Sequence, residues 1–110
     1  MADDLLLNQV AQQLELAGLQ AASFDEPQLG GFGIQPDEDK AYVIWTPSDN
    51  LSGAAFQALI NGDRAHPAVL HMGQVKHIMA DAILRILTSA GLNAKMSSDD
   101  MSPATVEVWP

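Results

Sequence analysis

The feature that most constrains the fold of this chain is a likeness between its two ends. Residues 14–21 read Leu-Glu-Leu-Ala-Gly-Leu-Gln-Ala and residues 87–94 read Leu-Thr-Ser-Ala-Gly-Leu-Asn-Ala, with five of the eight positions identical. A helical apolar pattern precedes each block. After an acidic turn, each is followed by a similar short segment: Ala41-Tyr42-Val43-Ile44-Trp45-Thr46-Pro47 in the first half, Ala104-Thr105-Val106-Glu107-Val108-Trp109-Pro110 in the second. The pattern describes a helix–turn–strand unit used twice.

Two explanations compete. Ala-Gly-Leu is ordinary punctuation after a helix: Gly reaches the left-handed conformation that ends helices, and the next apolar residue packs back on the last turn. The alternative is an internal duplication, with halves 1–47 and 64–110 joined by a short helical connector. Nineteen residues (22–40) separate the blocks in the first half and nine (95–103) in the second, so a duplicated first unit carries an insertion of ten.

A chain of 110 residues is expected to form a single domain around one core. Its hydrophobic fraction of 47% suits a globular protein. No apolar run approaches a membrane span. The acidic start Met1-Ala2-Asp3-Asp4 does not suit a secretory signal, so Asn50-Leu51-Ser52 reads as an accidental glycosylation match. The absence of cysteine removes disulfides, thiolate metal sites and thiol nucleophiles, and fits the cytoplasm. Fourteen acids against five bases give a net charge of −9. Such a surface repels phosphate backbones, so direct nucleic-acid binding is not expected. It also steers basic partners. The acids cluster at expected turns: Asp25-Glu26, Asp37-Glu38-Asp39 and Asp99-Asp100. These are either solvated loop tips or parts of a negative surface.

Asp3 or Asp4 is placed to cap a first helix running to about Ala17, with Leu6, Val10, Leu14 and Ala17 on its apolar stripe. A strand near residues 32–35 can pair with 41–46 across a turn at 36–40. Alternation puts Ala41, Val43 and Trp45 on one face, with Tyr42, Ile44 and Thr46 on the other. The matching core set in the last segment is Ala104, Val106 and Val108, leaving Thr105, Glu107 and Trp109 outside. Ser48 is a candidate cap for a helix over 50–60 that would bury Leu51, Ala54, Ala55, Ala58 and Leu59. A long helix over 67–90 carries two apolar rows, Ile78/Ala82/Ile86/Ala90 and Val75/Met79/Ile83/Leu87, and a polar row His77/Asp81/Arg85/Ser89. Residues 92–96 and 103–109 then suit a final hairpin, the last strand at or near a sheet edge. The expected fold is α+β: a two-layer sandwich with an antiparallel sheet of about four strands and helices on one face.

The residue types that could carry chemistry lack the spacing for it. A helical metal pair needs histidines three or four apart, whereas His71 and His77 are six apart and His66 lies outside the helix. No Gly-x-Ser-x-Gly elbow supports a hydrolytic triad. Gly30-Gly31-Phe32-Gly33 lacks the Lys-Ser/Thr of a phosphate loop and the context of a dinucleotide fingerprint. No metal or cofactor is therefore expected.

Two functional readings remain. The first is a small acidic, non-catalytic protein-interaction module, binding a basic protein or a second copy of itself. Its candidate surface is Asp37, Glu38, Asp39, Tyr42, Ile44, Asp99, Asp100 and Trp109, and it gathers into one negative rim if the acidic turns share an end of the sheet. The second is a small enzyme or ligand-binding domain, with a pocket between the long helix and the sheet using His71, His77 or Asp81.

Overall fold

A computed structural model describes residues 4–23, 25–98 and 104–110. Its elements in chain order are α1 (Asp4–Leu16), a 3-10 turn (Pro27–Leu29), β1 (Gly31–Asp37), β2 (Lys40–Thr46), α2 (Asp49–Ile60), α3 (Pro67–Ser89), β3 (Asn93–Met96) and β4 (Thr105–Trp109). The strands form one open antiparallel sheet in the order β1-β2-β4-β3. This is the α+β, two-layer arrangement expected from the sequence.

One face of the sheet carries the core. Phe32, Ala41, Val43, Val106 and Val108 point at Leu6, Val10 and Leu14 of α1 and at Ala80, Ile83 and Leu87 of α3. The alternation read from β2 and β4 is the observed one, with Trp45 half-buried at the margin. α2 packs mainly on α3 and the 3-10 turn and makes little contact with the sheet.

β4 is paired on both sides and lies next to the edge strand β3, near the sheet edge as expected. Other expectations need correction. Ser48 begins α2 but makes no side-chain cap bond. Of the five residues expected to be buried on α2, only Ala55 and Ala58 are; Ala54 and Leu59 are exposed and Leu51 is intermediate. On α3 the row Ile78/Ala82/Ile86/Ala90 is not core: Ile78 and Ala90 are exposed, and Ala82 and Ile86 are only half-buried. The geometric reason is that the stripe centred on Ala80, Ile83 and Leu87 faces the sheet, and the neighbouring row is rotated to its flank.

The two similar blocks do the same thing at the ends of α1 and α3. Leu19 N–H donates to the Leu14 carbonyl at 3.0 Å and Gly18 N–H to Glu15 at 2.9 Å. Leu92 N–H donates to Leu87 and Gly91 N–H to Thr88, both at 3.0 Å. Gly18 and Gly91 have φ of +97° and +87°. These are the paired bonds of the Schellman motif, with Leu14 and Leu87 fully buried in the core beneath it. α2 ends with the same bonds at Asn61-Gly62-Asp63, without any Ala-Gly-Leu. Capping alone therefore accounts for the glycine, while the matched Leu14/Leu87 and Leu19/Leu92 belong to the core and its margin, and Ala17, Ala21 and Ala90 are exposed.

The difference in spacing also has a structural counterpart. Residues 93–96 follow the second cap directly as β3, which pairs with β4. After the first cap, Gln20–Ala22 runs parallel to β1, with Phe32 N–H donating to Gln20 and Ala22 N–H donating to Phe32. β1 thus lies between this segment and β2. Each half supplies one two-stranded hairpin, and the longer connection in the first half adds only this bridged segment beside β1.

Candidate functional site

The sheet face opposite the helices carries the outward residues of all four strands. Across its centre the register sets Gln35, Tyr42, Glu107 and Lys95 in one row, and Gly33, Ile44 and Thr105 in the next. Lys40 and Trp109 lie at the end nearer the β1–β2 turn. Tyr42, Ile44 and Trp109 are half-buried. The sequence reading treats Thr105 and Glu107 simply as outer-face polar residues, yet they are only 6% and 7% exposed. They sit on an interior strand, Glu107 between Lys40 and Lys95 from the two neighbouring strands and Thr105 opposite Ile44.

Glu107 is the centre of this arrangement. Its carboxylate accepts a hydrogen bond from Lys40 Nζ at 2.8 Å, and Lys95 Nζ lies 3.7 Å from its other oxygen. The hydrogen bond from Lys40, reinforced by both positive charges, holds the Glu107 carboxyl below its usual range against the opposing effect of burial. The same bond raises the Lys40 ammonium. Lys95 Nζ also stands 5.8 Å from the centre of the Trp109 ring, a cation–π distance. Lys40, Lys95 and Glu107 were not singled out from the sequence. Their signal was there: one charged residue at an outward position on each of three paired strands.

Two hollows flank the Glu107 cluster. One, of about 390 Å³, is lined by Gln35, Pro36, Asp37, Tyr42, Ile44, Ser97 and Thr105. The other, of about 310 Å³, is lined by Asp39, Lys40, Lys95, Glu107, Trp109 and Pro110. Asp37, Tyr42 and Ile44 therefore share one hollow, and Asp39 and Trp109 share the other. Glu38 lies between them on the exposed turn, with φ of +55°. That region suits Gly or Asn and strains a glutamate. Asp99 and Asp100 lie outside the described residues. Met96 and Thr105, the described strand residues on either side of them, lie at the opposite end of the sheet from the Asp37–Asp39 turn.

The glycine motif has a steric role. A Cβ on Gly30 would stand 2.4 Å from the Thr46 carbonyl oxygen, and one on Gly31 would stand 2.5 Å from that of Gln20. Their φ values are +70° and +143°. The pair lets the chain enter β1 between two backbones, a task unrelated to phosphate.

On α3, His71, His77 and Asp81 are exposed, and Asp81 pairs with Arg85 at 3.1 Å. The space between α3 and the sheet is filled by Ile83, Leu87, Val106 and Val108, all fully buried. His66 caps α3, its Nδ1 accepting from Ala68 N–H at 3.0 Å. Among the described residues no three His, Cys, Asp or Glu side chains gather to hold a metal ion. No described helix is long and apolar enough to cross a membrane. No family model, curated protein or solved structure matches the chain.

Proposed function

We propose that this protein is a non-catalytic interaction module that docks a basic protein surface on the uncovered face of its sheet, beside the Asp37–Asp39 turn. The observation that carries the reading is the half-covered sheet. Helices bury one face, while the other presents Tyr42, Ile44 and Trp109 around a satisfied ion cluster, with three exposed carboxylates at its border. Aromatic side chains ringed by charge suit protein contacts, and a net charge of −9 accelerates encounter with a cation-rich partner. A strained glutamate at the tip of the turn adds support, because folding alone favours Gly there. The cysteine-free composition fits work in the cytoplasm, and the acidic balance disfavours nucleic acid as the partner.

The test is affinity capture from the native host, run side by side with wild-type protein and with Asp37, Glu38 and Asp39 all changed to Lys. The expected result is a basic protein retained by the wild type and lost by the variant. Substrate turnover by purified protein that disappears with His77 or Asp81 would overturn the reading in favour of an enzyme.

A further inference from the structure

The helical layer carries a second surface, independent of the sheet face. Phe56 and Ile60 on α2 are 66% and 70% exposed, and Leu70 on α3 is 55% exposed. Leu59 is exposed beside them. Phe56, Leu59 and Ile60 occupy the last turns of α2, and Leu70 the first turn of α3. All four thus gather at the loop end of the α2–α3 hairpin. On α2, Leu59, Phe56 and Ile60 fall at successive angles on one flank of the buried Ala55/Ala58 stripe, while Asn50 and Gln57 take the other side. Ile78, about two turns further along α3, is exposed as well.

Charge decides what fits this surface. Residues 49–89 hold three acids (Asp49, Asp63, Asp81) and three bases (Arg64, Lys76, Arg85), a net of zero, so the whole −9 resides outside the α2–α3 segment. A basic partner is drawn to the acidic remainder, not to this region. A second copy of the chain, repelled everywhere else, meets no net charge here. At the hairpin tip, Asp63 and Arg64 are adjacent and neither forms an ion pair within the chain among the described residues. Across a two-fold axis each can face its opposite in the other copy. Covering the exposed apolar side chains of both hairpins removes on the order of 1,000 Å² from water, the lower bound for a specific interface.

We propose that the tip of the α2–α3 hairpin is a homodimer interface, formed by Phe56, Leu59, Ile60 and Leu70 against the same residues of a second copy. The contact is apolar at its centre with a self-complementary charged border. It holds the two acidic sheet faces apart and leaves each open.

Sedimentation velocity on the full chain, from about 1 µM to several hundred µM, tests this. The wild type should form a concentration-dependent dimer that persists in high salt. Phe56→Asp with Ile60→Asp should be monomeric throughout, with unchanged far-ultraviolet circular dichroism. Leu70→Asp alone should weaken the dimer at least tenfold and serves if the double variant misfolds. Leu16→Asp, at an equally exposed site on α1, should leave the dimer intact. A wild type monomeric over the whole range overturns the proposal. So does a dimer that survives the hairpin substitutions or is lost with Leu16→Asp. The proposed docking of a basic protein is measured separately, because the Asp37, Glu38 and Asp39 substitutions lie outside the hairpin.

Discussion

Val43 and Val106 face each other across the β2–β4 pair, at the centre of the sheet and at equivalent places in the two similar segments. Each is the third residue of its segment. The flanking pairs obey the same relation. Tyr42 opposite Glu107 is exchanged with Ile44 opposite Thr105 when the segments are swapped. The order β1-β2-β4-β3 is what two hairpins related by a two-fold axis through the Val43–Val106 pair produce. If this reflects duplication, residues 6–21 with 41–47 should superpose on 79–94 with 104–110 as one set in an experimental structure. Pieces that fit only one at a time would leave the caps as independent punctuation.

Equal settings should give equal losses. Val43 and Val106 are both fully buried in the same core cluster. Val43→Ala and Val106→Ala should each cost roughly 1.5–3 kcal/mol in urea unfolding. A difference between them larger than their mean would show that the two sides of the axis are packed differently.

On α3, burial sets the order of effects. Ile83 is fully buried and Ile78 is 63% exposed. Ile83→Ala should cost about 2–5 kcal/mol, a large share of the stability of a small domain. Ile78→Ala should stay within about 0.5 kcal/mol. Asp81→Ala, which breaks only the exposed pair with Arg85, should cost under about 1 kcal/mol. Chemical denaturation of the three variants checks the order.

These residues mark what the sequence could reveal. Local patterns located the three α-helices and four strands among the described residues, because amphipathic spacing and β-branched runs are local signals, but not the 3-10 turn at Pro27–Leu29. The core faces of β2 and β4 followed from alternation. The flank of α3 was misread because two adjacent apolar rows satisfy the same period, and only the position of the sheet selects between them. Burial of Glu107 was invisible for a similar reason: it depends on which strands neighbour β4, a long-range pairing that no local pattern carries. The glycine run lacks the rest of a phosphate motif, and what Gly30 and Gly31 serve is backbone crowding, which calls for the missing Cβ just as a phosphate cradle does. Gly31→Ala should therefore destabilise far more than Gly33→Ala, whose Cβ would meet nothing nearer than 3.9 Å.

Glu107 ties stability to acidity. Its folded pKa lies below its ordinary value of 4.5, chiefly through the hydrogen bond from Lys40. The folded state thus binds the Glu107 proton less readily than the unfolded chain. The resulting stabilisation is fully present above the unfolded value and is lost as pH falls through the folded one. Glu107→Gln should flatten the stability profile in that acidic window and leave its shape near neutrality unchanged. Thermal melts of both proteins from about pH 7 down to pH 3 would show it. Identical profiles would mean that the Lys40–Glu107–Lys95 cluster is not linked to folding.

The acidic turn should separate binding from folding. Asp37, Glu38 and Asp39 are exposed and form no ion pair among the described residues, the nearby Lys40 being committed to Glu107. Reversing all three charges should leave the melting temperature within a few degrees, since exposed charges contribute little to stability. Association with the basic partner should slow severalfold at low ionic strength, and the difference should shrink as salt screens the long-range field. Glu38→Gly sharpens the test. It relieves the left-handed strain at φ +55°, so stability should hold or rise by up to about 1 kcal/mol while the association rate falls. Stopped-flow association rates measured against salt, paired with melting curves, read both effects. A variant that binds as fast as wild type at low salt would remove the turn from the docking surface, and a turn whose charge reversal unfolds the protein would be a structural element.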